Sequence, residues 1–306
     1  MKVLLTGGTG FVGQEIVRQL HLAGHAIRML VRDPGSARAR EAVARFAAEL
    51  HAGDVTEPIS LKTALKGVEA IIHLVGIISE VGKSTFENVH TCGTRNIVST
   101  AQGAGVKRFV HMSALGTRPH AVSRYHQTKW AAEDAVRASH LDYTAFRPSL
   151  IYGPRDQFVN LFAKIIRFSP IVPVFGSSTA KFQPVSIGVV AKAFVKSITE
   201  PRSLGQTYDL CGPERLTLPE ILDQIMQATG RKRLKVRVPA ALARCQATFL
   251  EFVFPHLLRK APPLNRDQLT MLGEDNVGDP RPANEMFGLQ QPQFRQGIAG
   301  YVKDKA

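Results

Sequence analysis

Lys2-Val3-Leu4-Leu5-Thr6-Gly7-Gly8-Thr9-Gly10-Phe11-Val12-Gly13 follows the first methionine. Val3-Leu4-Leu5 reads as a short buried strand, and glycines at 7, 10 and 13 lead from it into an amphipathic stretch predicted to run helically from Phe11 to about Ala23. Gly7 permits a tight turn off the strand. Gly10 removes the side chain that would hold backbone N–H groups away from an anion, and Gly13 lets the helix sit close to the sheet. With Thr9, Phe11 and Val12 they form a cradle whose N–H groups and positive helix end suit the pyrophosphate of a dinucleotide.

Outward from this run, short apolar segments alternate with helical ones at Ala26–Val31, Glu49–Gly53, Ala70–Leu74, Arg108–Met112 and Tyr143–Phe146. Six strands separated by helices predict an α/β fold built on a doubly wound parallel sheet, which binds ligands beyond the strand carboxyl ends where strand order reverses. Residues 1–150 are expected to form this nucleotide-binding domain. After Pro148 the alternation loosens into helices near Val159–Arg167 and Val189–Thr199, an extended Phe182–Val185 and a strand at Thr207–Leu210. Thr217-Leu218-Pro219-Glu220 has capping-box spacing and starts a helix reaching Ala228 before Gly230. Residues 151–306 therefore read as a smaller C-terminal α+β lobe that shapes a substrate cleft, with some of its segments returning to the main sheet.

The chain of 306 residues, 44% of them hydrophobic, is long enough to bury a sizeable core. Cys92, Cys211 and Cys245 are odd in number and widely spaced, which argues against disulfides and structural zinc; no metal site is expected. With a strand starting at Lys2 and no room for a leader, a cytoplasmic location is expected. The most apolar long segment, Val238–Leu258, is interrupted by Arg244, Gln246, Glu251 and Pro255, so it does not read as a membrane span. A net charge of +14 calls for an anionic partner. Nucleic acid is not expected, because aromatic residues make up 7% and no stacking or groove-reading motif occurs. Residues 231–260 carry eight basic residues against the single acid Glu251, interleaved with phenylalanines and leucines. This is either an interfacial segment for peripheral contact with an anionic membrane or a core helix with a solvated basic rim.

The nucleotide type is read after the second strand, at Leu30-Val31-Arg32-Asp33-Pro34. Val31 stands in register with the acid that binds the ribose hydroxyls in NAD-type sites, and Arg32 just beyond it can form paired charge-assisted hydrogen bonds with a 2′-phosphate. NADP(H) is thus preferred; NAD(H) follows if Asp33 takes the ribose. Asp54 and Val55, after the third strand, lie at the depth of an adenine ring, and Leu74-Val75-Gly76 ends the fourth strand with a residue that admits a nucleotide close to the backbone.

Tyr125 and Lys129 stand four apart and hence share a helix face. An ammonium beside a phenol is expected to lower its pKa and make proton exchange with an alcohol or carbonyl feasible, and the same ammonium can hold a ribose. These residues, the glycine run and Arg147-Pro148-Ser149-Leu150-Ile151-Tyr152-Gly153-Pro154 together resemble the extended and atypical short-chain dehydrogenase/reductase superfamily, in its NAD-dependent epimerase/dehydratase branch. His111-Met112-Ser113-Ala114-Leu115-Gly116, Gln183-Pro184-Val185, Gly205–Glu214 and Leu272–Asn276 are similar to the subgroup related to the nucleotide-binding accessory subunit of respiratory complex I.

The resemblance implies a Rossmann-type sheet, Tyr125 as proton donor or acceptor, Lys129 as its partner, Pro148 at the cofactor, and Ser113 or Thr117 polarising a substrate oxygen. Two positions depart from the pattern: Ala114 occupies the place of the usual Ser or Thr, and His90 that of a helix-four asparagine, where an imidazole can still meet a backbone carbonyl. Two functions are consistent with this. One is hydride transfer at a carbonyl or alcohol carbon of a small-molecule substrate. The other is a non-catalytic NADP(H)-binding accessory or scaffold protein of a membrane-associated respiratory or quinone-biosynthesis assembly, peripheral to an inner membrane.

Overall fold

The strand β1 (Lys2–Thr6) buries Val3, Leu4 and Leu5 completely and sends them to opposite sides, as a period of two requires. Val3 and Leu5 join one apolar cluster, Leu4 another, so the strand needs a covered face on each side. The computed structural model describes residues 1–177, 179–258 and 260–303, except for the side chain of His256.

After β1 the chain alternates strand and helix: α1 (Phe11–Leu22), β2 (Ala26–Val31), α2 (Ala37–Phe46), β3 (Glu49–Ala52), α3 (Pro58–Ala64) and β4 (Ala70–His73). A wide-turn helical segment at Glu87–Cys92 then runs into α4 (Gly93–Gly103), followed by β5 (Arg108–Met112), α5 (Arg124–Arg137) and β6 (Asp142–Pro148). Short elements come next: β7 (Ile151–Tyr152), α6 (Phe158–Phe168), β8 (Ile171–Val174), β9 (Lys181–Phe182), β10 (Val185–Ser186) and α7 (Ile187–Ser197). The chain ends with β11 (Gln206–Leu210), β12 (Leu216–Thr217), α8 (Leu218–Thr229), β13 (Leu234–Arg237), α9 (Ala240–Val253), α10 (Arg266–Met271), α11 (Arg281–Phe287) and α12 (Phe294–Val302).

The main sheet has the order β11-β6-β5-β4-β1-β2-β3, with every pairing parallel. Strand order reverses between β1 and β4, so their carboxyl ends open a crevice at Thr6 and His73. Helices α3 and α4 contribute Leu61, Ala64, Ile97 and Val98 to the core on the Leu4 side. Helices α1 and α7 cover the other side. Each fully buried leucine or isoleucine here is worth about 1.5–3 kcal/mol relative to exposure.

The capping box at Thr217 and Glu220 forms as the spacing predicts, and Gly230 ends α8 in the left-handed conformation at φ +67°. The stretch Phe182–Val185, expected to be one extended run, is instead split between β9, which pairs with β12, and β10, which pairs with β7. The C-terminal lobe has its own core of Tyr152, Phe162, Phe182, Leu222, Ile225 and Phe294 among others. The chain nevertheless returns to the main body: α7, β11 and α11 place Phe194, Tyr208 and Phe287 in the first core. Among the described residues no helix is long and apolar enough to cross a membrane.

Candidate functional site

At the end of β1 the backbone turns through Gly7 at φ +77°, a conformation that favours glycine, and the Gly10 N–H closes on the Gly7 carbonyl at 3.0 Å. Gly10 is the N-cap of α1, and among the described residues no side chain caps that end. The first-turn N–H groups of Phe11, Val12 and Gly13 are thus left for a ligand. A β-carbon on Gly10 would meet only the Gly7 oxygen, at 3.1 Å, among the described residues; its place is otherwise open. A β-carbon on Gly13 would stand 2.3 Å from the Gly7 oxygen and 2.6 Å from Gly8 Cα. Gly13 therefore seats the helix on its own loop, where the sequence reading has it against the sheet. The cradle fits a dinucleotide pyrophosphate: open at Gly10, uncapped, and walled by backbone.

Around the cradle, Thr9 offers its carbonyl to Arg38 Nη1 at 3.3 Å. Arg38, on α2, carries no mark in the sequence, since nothing local shows that its helix returns to the loop. Arg32 is exposed one residue past β2. Asp33 Oδ1 accepts the N–H of Gly35 at 2.8 Å, which ties one of its oxygens into its own turn. Asp54 is similarly engaged, accepting from Thr56 N–H at 2.8 Å and Thr56 Oγ1 at 2.9 Å. Val55 is buried against α4, where Asn96 holds its carbonyl at 2.9 Å. Leu74 is buried and Val75 half-buried, while the exposed Gly76 lies over two side chains of the chemical constellation. A β-carbon there would be 3.5 Å from His90 Nε2 and 3.8 Å from Lys129 Nζ.

Helix α5 carries Tyr125 and Lys129. Lys129 is buried, its ammonium donates to the carbonyl of Met112 at the end of β5, and burial pushes its pKa down to about 8. Tyr125 is edge-on to His90 with ring centres 5.4 Å apart, and also edge-on to Phe86 and His126. Burial, and then the negative Asp267, push its phenol up to about 12. That direction is opposite to the lowering expected from the Lys129 neighbour alone. His90 does meet a backbone group: its Nε2 lies 3.1 Å from the Ile77 carbonyl and 3.0 Å from the Ile77 N–H, and its Nδ1 lies 2.9 Å from Thr128 Oγ1. It thus links the loop after β4 to α5. Burial and the Lys129 charge push this imidazole down to about 3, so it is neutral.

Ser113 and Thr117 are buried, and among the described residues neither hydroxyl has a hydrogen-bond partner. A buried hydroxyl without a partner is costly unless a ligand or water supplies one. Pro148 closes β6, its carbonyl accepting from the N–H of Leu115 at 3.0 Å, so it fixes the loop that bears both hydroxyls. Two residues from the C-terminal lobe complete this end: Asp267, which has no sequence signal of its own, and Asn276, which closes the Leu272–Asn276 stretch of the resemblance without its contacts being readable there. Asp267 caps α5, and Asn276 donates to the Leu115 carbonyl at 3.0 Å while its Oδ1 accepts from Ser149 at 2.6 Å. Beside them an open cleft of about 510 Å³ is lined by Arg118, Ser177, Thr179, Gly273, Glu274 and Asp275. Among the described residues no group of three His, Cys, Asp or Glu side chains is placed to hold a metal ion.

Comparison with known proteins agrees with this architecture. A family model described as NAD(P)H-binding matches residues 7–160. The chain is 33% identical over 240 residues to a ceramide reductase of Caulobacter vibrioides, covering 78% of this chain and 73% of that one. It is 28% identical over 279 residues to the Arabidopsis thaliana mitochondrial NADH dehydrogenase (ubiquinone) 1 alpha subcomplex subunit 9, covering 89% and 69%. Its fold is shared with the Thermus thermophilus UDP-glucose 4-epimerase solved with NAD, at TM-score 0.74 and 21% identity over 99% of this chain and 98% of that one. With the glycine cradle, the reversal point and the matched segment coinciding, the chain belongs to the NAD(P)H-binding family, on a Rossmann-type α/β fold.

Proposed function

We propose that the protein is an NADP(H)-dependent oxidoreductase that reduces a carbonyl, with Tyr125 as proton donor and Lys129 as the cation that supports it. The observation that carries this reading is the Lys129 ammonium, buried beneath Gly76 and held on the Met112 carbonyl one helical turn after Tyr125. A buried ammonium is costly even with the Glu133 charge nearby, and a site that binds ribose hydroxyls and offsets a developing phenolate gives it a purpose.

Gly7, Gly10, Gly13 and the first turn of α1 would hold the pyrophosphate, with Arg32 and Arg38 suited to a 2′-phosphate. When bound, the nicotinamide supplies the hydride. The chain's own part is the proton. With its pKa near 12, Tyr125 is protonated at neutral pH and gives its hydroxyl proton to the oxygen that becomes an alkoxide as the carbonyl carbon gains hydride. Lys129, one helical turn on, would be the cation that offsets the resulting phenolate. Ser113 and Thr117, buried with free hydroxyls, are suited to donate to the same substrate oxygen. Arg118, paired with Glu274 at 3.0 Å, lines the cleft from which substrate would come.

A second reading, a non-catalytic NADP(H)-binding accessory protein, draws support from the name of the plant relative and from the upward shift of the Tyr125 phenol. The two separate in one experiment. NADPH oxidation is followed across aldehydes, ketones and keto-sugars with wild type and Tyr125→Phe, and NADPH affinity is measured for both. The oxidoreductase reading expects at least one carbonyl to be turned over, with the rate falling by about a hundredfold in Tyr125→Phe at unchanged affinity. Identical rates in the two proteins across the panel would favour the accessory role.

A further inference from the structure

We infer that helix α9, with the turn that follows it, is a docking surface for an anionic phospholipid bilayer. The helix rests on the body through Ala243 and Ala247, which are buried. Leu242, Cys245 and Phe249 recur at intervals of three and four and so share one face, on the side opposite those alanines. That outer face is wet: Leu242 is 61% and Phe249 65% exposed, and Leu257 in the next turn is 71% exposed. An exposed apolar stripe of this kind, turned away from the buried alanines, marks an interaction surface.

What covers it follows from charge. Arg244 is exposed on the same helix, with Arg237 exposed just before it in the chain and Lys260 just after it, and the one acid of the segment, Glu251, is already paired with Arg266 at 2.6 Å. Arg259 lies outside the described residues. Apolar side chains rimmed by cations match the boundary between acyl chains and anionic headgroups, whereas a second copy of a chain with net charge +14 would bring like charges together. The surface is also tied to the Tyr125 helix. Glu251 accepts the N–H of Arg266 at 2.8 Å, and the neighbouring Asp267 accepts those of Arg124 and Tyr125. Docking would therefore hold the substrate end of the molecule by a chain of direct contacts.

The test is co-sedimentation of the full chain with vesicles of phosphatidylcholine alone and of phosphatidylcholine with about 30% phosphatidylglycerol, at low salt and at about 0.5 M salt. Wild type should bind the anionic vesicles and lose about tenfold or more of that binding at high salt. Leu242→Ser/Phe249→Ser should lose a similar factor, and so should Arg237→Gln/Arg244→Gln/Lys260→Gln, with melting temperatures unchanged because all of these side chains face solvent. Wild-type binding equal on neutral vesicles, or undiminished binding by either variant, would overturn the assignment. So would a lipid-free dimer that dissociates in Leu242→Ser/Phe249→Ser, since the occupant would then be a second copy.

Discussion

The carboxylate of Asp267 accepts the backbone N–H of Tyr125 at 2.8 Å and that of Arg124 at 2.9 Å, so a residue 142 positions further along caps the helix that bears the phenol. Ser123 Oγ takes the N–H of His126 at 3.1 Å, and the first turn of α5 is thereby satisfied by two side chains from different lobes. Burial disfavours the phenolate of Tyr125 most, and the charge of the same carboxylate adds to it.

Asp267→Asn should therefore lower the pKa of Tyr125 from its position near 12 while preserving the size of the capping side chain. Ultraviolet difference titration, with Tyr125→Phe subtracted to isolate this residue among five tyrosines, reads the shift directly. Asp267→Ala should in addition cost about 1 kcal/mol of stability through the lost cap. An unmoved phenol titration in Asp267→Asn would mean that the charge is not felt at the ring.

Two glycines of the cradle should separate binding from folding. At Gly10 a β-carbon meets the Gly7 oxygen at 3.1 Å, so Gly10→Ala should fold with little loss of stability yet bind NADPH much more weakly, because the methyl fills the phosphate space. At Gly13 the same atom would lie 2.3 Å from the Gly7 oxygen, and the loop must move. Gly13→Ala should cost about 1–3 kcal/mol in denaturant unfolding as well as binding. Thermal melts with and without NADPH check both, and a ligand-induced rise in Gly10→Ala equal to that of wild type would take the phosphate elsewhere.

The strands of the main sheet and the glycine cradle are legible because each is written locally, in runs such as Val3–Leu5 and in the spacing of Gly7, Gly10 and Gly13. Tyr125 and Lys129 are legible for the same reason, being one helical turn apart. The direction of the Tyr125 shift is not, because its causes are burial and a carboxylate from another lobe. The contacts of Asn276, which ties Leu115 and Ser149 together from the end of the Leu272–Asn276 stretch, and of Arg38, which returns to Thr9, are equally silent: a contact between distant segments leaves no period in either. β11 reads as a strand, yet its seat at the sheet edge beside β6 depends on which edge remained free once β5 and β6 had paired.

Lys129 should make the fold more stable as pH rises. Its folded pKa of about 8 lies below the ordinary 10.5, so the residue is protonated in both states below about pH 8, where the native state bears the whole cost of a buried charge. Between about 8 and 10.5 the unfolded chain binds more protons, and stability climbs through that window. Lys129→Met removes the cost. It should be more stable than wild type at pH 7, by up to about 3 kcal/mol, with the advantage shrinking toward pH 10. Urea unfolding at several pH values reads this, and the same variant should lose NADPH affinity. A difference between the two proteins that does not vary with pH would show that Lys129 is not desolvated in solution.

Cofactor choice should rest on Arg32 and Arg38, through different effects. Arg32 is exposed just past β2, so Arg32→Ala should weaken NADPH by about 1–3 kcal/mol, as for a charge-assisted hydrogen bond, and leave NADH unchanged. Arg38 also holds the Thr9 carbonyl at 3.3 Å. Arg38→Ala should therefore loosen the glycine loop and weaken both nucleotides, NADPH more than NADH. Asp33 supplies the contrast: with Oδ1 bound to the Gly35 N–H at 2.8 Å, Asp33→Ala should leave the ratio of the two affinities nearly unchanged. Fluorescence titration of reduced nicotinamide in the wild type and the three variants measures the set. If Arg32→Ala spares NADPH while Asp33→Ala weakens NADH, the ribose belongs to the carboxylate and the chain is an NAD(H) protein.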